Sequence, residues 1–371
     1  MTGMQNMVAN LSAVDDGRPI FITWLVRYKN ELANVVWGIG AAIFLFGFQT
    51  SLFISFWNTG ALIINKMDGT VWVHPRGVEC FENPAALDTR YEWLLRGQSG
   101  VRAVNKAILG FVPWKGANGR WIDVTLVGYS RIAERPQTVF FDRTDSSRLG
   151  TLVGDSAEAA GHRVYLGGTL HGYSSFLGLP YVLADYRTAE SILGFPDERT
   201  NFFILDVTGD PEKVARKIQA SFPELEIVSK SKMAFKSSLY WVERTGAGAA
   251  IMTAAVLALV VGFVFSFFSV QRFIDNIRYD LVTLLLLGAD RGLLAWWIIP
   301  FCATIGIAAS IGGAFAVFPF TFFVRFQIPW VHAIPSVLTA SIAVGGATAI
   351  IASALAVRSI SNMNEMEALR G

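Results

Sequence analysis

The chain has 371 residues, of which 53% are hydrophobic and only 16% are charged, and its formal net charge is +2. This composition excludes an ordinary soluble enzyme, and so small a net charge gives no indication of nucleic-acid binding. The two cysteines, Cys80 and Cys302, are expected in different compartments, because the first lies in a polar region and the second in an apolar one. No disulfide within the chain is therefore predicted.

The chain begins with an arm, residues 1–32, whose second half has an amphipathic pattern. From about Ile20 to Leu32, apolar side chains including Phe21, Trp24 and Tyr28 recur at helical spacing among basic residues. This pattern predicts a helix lying in the membrane interface. An early start of the first membrane-spanning helix is the alternative.

Four stretches free of Asp, Glu, Lys and Arg are each longer than the ~20 apolar residues that cross a bilayer. They predict membrane spans at residues 33–56, 246–270, 292–318 and 335–357, with a short outer loop at 319–334. No ionisable residue lies at the centre of a span, which disfavours an ion path. The small residues of the last three spans indicate close helix packing.

Residues 57–244 hold most of the charge and read as a mixed α/β domain. Strand-like runs occur at 70–73, 121–127, 164–166, 181–183, 202–207 and 226–228. A helix is predicted after Asp210, which suits an N-cap, and Pro211, which suits a first turn. Another is predicted from Arg187 to Leu193, before Gly194. The predicted fold class is an integral membrane α-helical protein with four transmembrane helices, one before and three after an extracytoplasmic mixed α/β domain.

Basic residues near the spans predict the orientation. Eight lie on one side, in the N-terminal arm, in the segment 271–291 and in the tail 358–371, against Arg325 alone in the short loop opposite. By the positive-inside rule, both termini are cytoplasmic and the large domain lies outside.

No catalytic constellation is recognisable. The chain lacks a Gly-x-x-x-x-Gly-Lys-Ser/Thr phosphate loop, so ATP hydrolysis by that route is not expected. The histidines at positions 74, 162, 171 and 332 have no metal-ligand spacing, and each is expected at the surface or in a loop. No catalytic residue, cofactor or metal is predicted.

The most informative segment is the cytoplasmic connector at residues 271–291. Its apolar side chains form a helical stripe, Phe273, Ile277, Leu281 and Leu285, while Arg272, Asp275, Arg278 and Asp280 occupy polar positions. Gly288 is expected to end this helix and Asp290 to cap the next. Such a helix either lies on lipid or binds a protein partner.

The connector, Tyr279-Asp280-Leu281-Val282-Thr283-Leu284-Leu285-Leu286-Leu287-Gly288-Ala289, resembles that of permease subunits of MacB-type ABC exporters, within them the DevC-like group. The acidic position of the family pattern is Asp280 here, whereas leucines replace its alanine and basic positions. Val139-Phe140-Phe141-Asp142-Arg143 and the stretch 167–178 are similar to DevC-like sequences. The ending Glu367-Ala368-Leu369-Arg370-Gly371 resembles that of MacB. The order of one span, a large outer domain and three spans is also that of the family.

The resemblance implies a non-catalytic subunit of a bacterial inner membrane that pairs with a second copy. It also implies a separate ABC ATPase that binds the connector, and a periplasmic adaptor protein. The implied ATPase-coupling residues are Arg272, Asp275, Arg278, Tyr279, Asp280, Gly288 and Ala289. The cargo, whether lipid, glycolipid, peptide or drug, is left open. The alternatives are a lipoprotein-extraction permease, an FtsX-like signalling subunit and, least favoured, a membrane-anchored enzyme.

Overall fold

A computed structural model describes residues 20–132, 136–173, 178–196, 198–288, 290–326, 328 and 330–361. The chain divides into two compact units. One is a helical bundle, formed by the chain up to residue 52 together with residues 250–326 and the segment after 332; the other is the inserted domain, built from residues 53–249.

Two helices precede the inserted domain. Helix α1 spans Ile20–Arg27, and helix α2 spans Lys29–Thr59. Tyr28 lies between them, yet its amide donates to the carbonyl of Trp24 at 2.9 Å, and the Leu32 amide donates to the Tyr28 carbonyl at 2.9 Å. Most of the stretch from Ile20 to Leu32 is therefore helical, and α2 begins earlier than the span predicted at 33–56.

The inserted domain is a mixed α/β structure. In chain order it contains α3 (Leu62–Lys66), β1 (Val71–Pro75), β2 (Leu87–Asp88), α4 (Tyr91–Arg96), β3 (Val101–Lys115), β4 (Trp121–Tyr129), β5 (Thr138–Asp142), α5 (Ser146–Leu149), β6 (Ser156–Ala159), β7 (His162–Leu170), β8 (Tyr181–Asp185), α6 (Tyr186–Leu193), β9 (Arg199–Thr200), β10 (Phe202–Val207), α7 (Pro211–Gln219), β11 (Leu225–Ser229) and α8 (Lys230–Thr245).

The two helices predicted in this domain are present, and α6 begins one residue before the predicted Arg187. The carboxylate of Asp210 accepts the Glu212 amide at 3.0 Å at the start of α7. Asp185 likewise accepts the Thr188 amide at 3.1 Å at the start of α6, which ends at Gly194 in the left-handed conformation.

Nine strands form the main sheet, in the order β11-β1-β10-β3-β4-β8-β5-β7-β6. Strand β1 is antiparallel to both β10 and β11, and α7 connects these two outer strands. The long strand β3 pairs first with β10 and then with β4. Strand β6 returns to β3, where Trp114 pairs with Ala159, so six strands close into a ring.

Three cores hold this domain together. Helix α7 covers one face of β1 and β10, where Val73, Phe203 and Ile218 are buried. On the opposite face, α3 and α8 bury Ile64 and Met233 against Trp72 and Ile204 of the same strands. The interior of the strand ring holds a third apolar cluster that includes Trp114, Val124, Leu126, Phe141 and Leu166. Because side chains alternate along a strand, β1 supplies both faces.

One sequence expectation is wrong in this domain. His74 is fully buried in β1, not exposed, because β1 is flanked by strands on both edges and covered on both faces. Its Nδ1 lies 2.9 Å from the Pro75 carbonyl oxygen. Burial lowers the pKa of His74, so the ring is neutral.

After the inserted domain come α9 (Ala247–Asn276), α10 (Arg278–Leu286), α11 (Arg291–Val324) and α12 (Pro335–Ser361). Among the described residues, α2, α9, α11 and α12 are long and apolar enough to cross a membrane. The predicted order of one span, an α/β domain and three spans is confirmed, and the chain is a membrane protein. Helix α11 continues beyond the predicted span end at residue 318 to Val324.

Small residues allow the bundle helices to pack closely, as the sequence indicates. At the contact of α2 with α11, a Cβ atom added to Gly313 would lie only 2.2 Å from the carbonyl oxygen of Gly40. One added to Gly306 of α11 would lie 2.3 Å from the Cβ of Ala349 in α12. Larger side chains at these positions would separate the helices.

Candidate functional site

The connector is a short helix between two membrane-spanning helices. Helix α9 ends at Asn276, Ile277 interrupts it, and α10 follows from Arg278. Gly288 has φ +98°, a conformation that favours glycine, and the carboxylate of Asp290 accepts the Gly292 amide at 3.0 Å to start α11. The end and the cap expected from the sequence are both present.

The apolar stripe of the connector packs into the chain's own bundle. Phe273, Ile277 and Leu281 are at most 1% exposed, and Leu285 is half-buried. They contact a cluster from the neighbouring helices that includes Leu294, Ile298, Phe301 and Val357. This side of the connector is therefore held by protein rather than left to rest on lipid.

The opposite side of α10 is exposed and largely apolar. Tyr279 is 61% exposed, Leu286 60% and Leu287 79%, and Thr283 between them is exposed as well. Their spacing places these side chains on one face of the helix. We call Tyr279, Thr283, Leu286 and Leu287 the exposed face. Clustered apolar side chains of this kind mark interaction surfaces more often than isolated ones do.

The predicted charged residues differ in their surroundings. Arg272 and Asp275 are exposed on the last turns of α9. Arg278 is half-buried, and its Nε is buried without a hydrogen-bond partner in the described part of the chain. Ala289 lies outside the described residues.

Asp280 has partners on its own chain. Its Oδ2 accepts a hydrogen bond from the Tyr28 hydroxyl at 3.3 Å, and its Oδ1 lies 3.8 Å from Nη1 of Arg27. Burial and the negative charge of Asp280 raise the pKa of Tyr28, so the hydroxyl keeps the proton that it donates. The sequence pattern grouped Asp280 with partner-facing residues, whereas the structure places it against the N-terminal segment.

A second set of contacts lies where the chain enters and leaves the inserted domain. The Ser237 hydroxyl of α8 donates to the carbonyl of Gly60 at 2.6 Å, and the Ser238 hydroxyl donates to the carbonyl of Trp57 at 2.7 Å. The Trp57 ring also packs edge-on against Phe235. We call Trp57, Gly60, Ser237 and Ser238 the clasp. It joins the end of α2 to the helix that leads into α9.

Close to the clasp lies a buried carboxyl group that the sequence analysis missed. Glu82 accepts hydrogen bonds from the Tyr181 hydroxyl at 2.6 Å and from the Trp241 indole Nε1 at 3.3 Å. Burial raises the pKa of Glu82, and these two donors oppose that shift. Its partners lie far away in the sequence, so local spacing offers no signal for this group.

The described residues offer little for covalent or metal chemistry. In this part of the chain, no three His, Cys, Asp or Glu side chains meet in an arrangement that could hold a metal ion. Burial raises the pKa of Cys80 to about 12, so this thiol stays protonated. The features that stand out are instead an exposed helix face and contacts between helices.

Two solved structures are similar to part of the chain. No protein-family model matches the chain, and no curated protein matches it. The chain is similar to the crystal structure of the periplasmic region of MacB from Actinobacillus actinomycetemcomitans, with 10% identity, coverage of 44% of this chain and 90% of that one, and a TM-score of 0.35. It is also similar to the extracellular domain of YknZ, a noncanonic ABC-type transporter from Gram-positive bacteria, with 15% identity, coverage of 43% and 98%, and a TM-score of 0.31.

Proposed function

We propose that this chain is the permease subunit of an ABC export system. It receives the movement of a separate ATPase at the connector and relays it to the inserted domain. The observation that supports this proposal is that α10 has one buried side and one exposed, largely apolar side. One side is fixed in the bundle, while Tyr279, Leu286 and Leu287 face outward.

The exposed face has the properties of a protein-binding surface. Burying its leucines and tyrosine against a partner would remove apolar area from water, which is favourable by about 25 cal/mol per Å². Arg278 supplies the specific charge: its side chain is half-buried, and its Nε has no hydrogen-bond partner in the described part of the chain. A partner carboxylate could form a charge-assisted hydrogen bond with the accessible part of this guanidinium. The expected partner surface is therefore an apolar groove bordered by acidic residues.

The orientation that we propose puts the connector and both termini in the cytoplasm of a bacterium and the inserted domain in the periplasm. It rests on the excess of Arg and Lys in the arm, the connector and the tail. ATP is available on the connector side, and cargo is moved on the side of the inserted domain. A periplasmic adaptor protein would then meet this domain.

A second copy of the chain is proposed to cover the most exposed helices. Of the most apolar 18 residues of each spanning helix, 17% are buried within the chain in α9 and 33% in α2. The corresponding values are 50% in α11 and 44% in α12. A groove of about 990 Å³ runs between α2 and α9, lined by Trp37, Leu45, Leu257 and Phe265 among others. Pairing of two copies along these helices would bury the groove.

Binding to the ATPase tests the proposal directly. The permease is co-expressed with separate ABC ATPase subunits from the same organism, and the amount of each ATPase retained on the tagged permease is measured. Arg278→Glu and Leu287→Asp are each expected to weaken binding by about 2 kcal/mol, or roughly 30-fold in affinity. Leu152→Asp is the matched control, because Leu152 is 68% exposed in the inserted domain. Equal retention by Leu287→Asp and the control would refute the docking role.

A further inference from the structure

The N-terminal segment is fastened to the connector by three kinds of contact. Arg27 and Tyr28 both approach the carboxylate of Asp280; we call these three residues the latch. The Tyr28 ring also packs edge-on against Phe273, with centroids 6.1 Å apart. In α1, Trp24 is only 2% exposed and packs against Phe301 at 6.0 Å.

The latch lies at the junction between α1 and α2. The hydrogen bonds across Tyr28, which bridge Trp24 to Leu32, make α1 and α2 nearly one continuous helix. A displacement of α1 is therefore transmitted along α2. The connector, by contrast, is not adjacent to α2 in the sequence, because it directly follows α9 and precedes α11.

We propose that Arg27, Tyr28 and Asp280 couple α2 to the connector, so that one movement of α10 drives both helices leading into the inserted domain. Helix α9 follows because it is joined to α10 through Ile277, and α2 follows because the latch holds it. Asp280 is then a positioning residue and not a contact for the ATPase. This inference rests on the proposed function for the source of the movement, but the latch itself can be tested without an ATPase.

The first experiment measures the latch in the purified permease by trypsin cleavage after Lys29, followed by mass spectrometry. Asp280→Arg places two positive charges together and is expected to speed cleavage about fivefold, the factor that corresponds to ~1 kcal/mol. Arg27→Asp is expected to do the same. The exchange variant, Arg27→Asp with Asp280→Arg, restores the attraction between positions 27 and 280 but not the hydrogen bond from Tyr28, so it should be cleaved more slowly than either single variant.

Asp275→Arg is the matched control for this assay, because Asp275 is an exposed carboxylate on the same stretch, whereas Arg27 lies near the carboxylate of Asp280. Its cleavage rate should equal that of the wild type. The latch is overturned if Asp280→Arg and Asp275→Arg behave alike, or if the exchange variant is cleaved as fast as the single ones.

The second experiment follows the relay in the permease–ATPase complex. Fluorophores are attached at Val36→Cys on α2 and at Val260→Cys on α9, which are 40% and 53% exposed. ATP should change both signals in the wild type. Asp280→Arg should abolish the change at position 36 and keep the change at position 260, and the exchange variant should restore both.

The outcomes separate the two ideas. An unchanged ATP response at position 36 in Asp280→Arg would overturn the relay through α2 while leaving the proposed function intact. If the bound ATPase hydrolyses ATP and neither label responds in the wild type, the proposed function fails and the relay fails with it. The trypsin result then still decides whether the latch exists.

Discussion

The clasp gives the sharpest stability prediction. Ser237 is fully buried, and its hydroxyl donates to the Gly60 carbonyl at 2.6 Å. Ser237→Ala removes this donor and leaves a buried carbonyl without it, which typically costs about 1–3 kcal/mol. For a domain of this size, each kcal/mol lowers Tm by roughly 2–4 °C.

The assay is thermal unfolding of the full chain in detergent, followed by tryptophan fluorescence. Ser231→Ala is the matched control, because Ser231 is exposed near the start of the same helix; its effect should stay within about 0.5 kcal/mol. Ser238→Ala, which removes a partly buried bond to Trp57, should be intermediate. If Ser237→Ala melts together with Ser231→Ala, the clasp does not contribute to stability.

Three further predictions follow from charge and topology. Burial raises the pKa of Glu82, so between its pKa in the unfolded chain and its pKa in the folded chain only the folded chain keeps the proton. The free energy of unfolding therefore falls as the pH rises between these two pKa values. Glu82→Gln should show a smaller difference in Tm between pH 5 and pH 8. In intact cells, a cysteine at Ser156 should react with a membrane-impermeant reagent and one at Asn276 should not, and the reverse labelling would contradict the proposed orientation. The purified chain alone should show no ATPase activity, and hydrolysis should appear only with a separate ATPase; turnover by the isolated chain would exclude a purely relaying subunit.

Sequence patterns identified the parts of this fold that local chemistry determines. Long uncharged stretches identified the four spanning helices, and Asp210 with Pro211 marked the start of α7. Strand β3 was missed, because Gly110 and Pro113 interrupt its pattern. Its extended conformation depends on pairing with β10 and β4, which are distant in the sequence. His74 was misjudged for a similar reason, since its burial depends on strands and helices that a local reading cannot place.

The candidate site shows the same division. Helical spacing predicted the buried stripe that begins at Phe273, and glycine chemistry predicted the end at Gly288. The partner of Asp280 lies 252 residues away, so no spacing rule could separate this carboxylate from Asp275. Only tertiary contacts distinguish a carboxylate that is already paired within the chain, such as Asp280, from one that is free to bind a partner.

The pairing of β1 with β10 and β11 has a consequence for biosynthesis. Val71, near the start of the inserted domain, pairs with Leu205 and Ser229, near its end. Strand β1, the first to be synthesised, therefore cannot pair until β10 and β11, the last two, have been made. Such non-local pairing slows folding. During this interval the edges of β1, with the apolar Trp72 and Val73, remain unpaired and prone to aggregation. Truncated or stalled chains that lack β10 and β11 should consequently be captured by chaperones or degraded rather than accumulate as a partial domain.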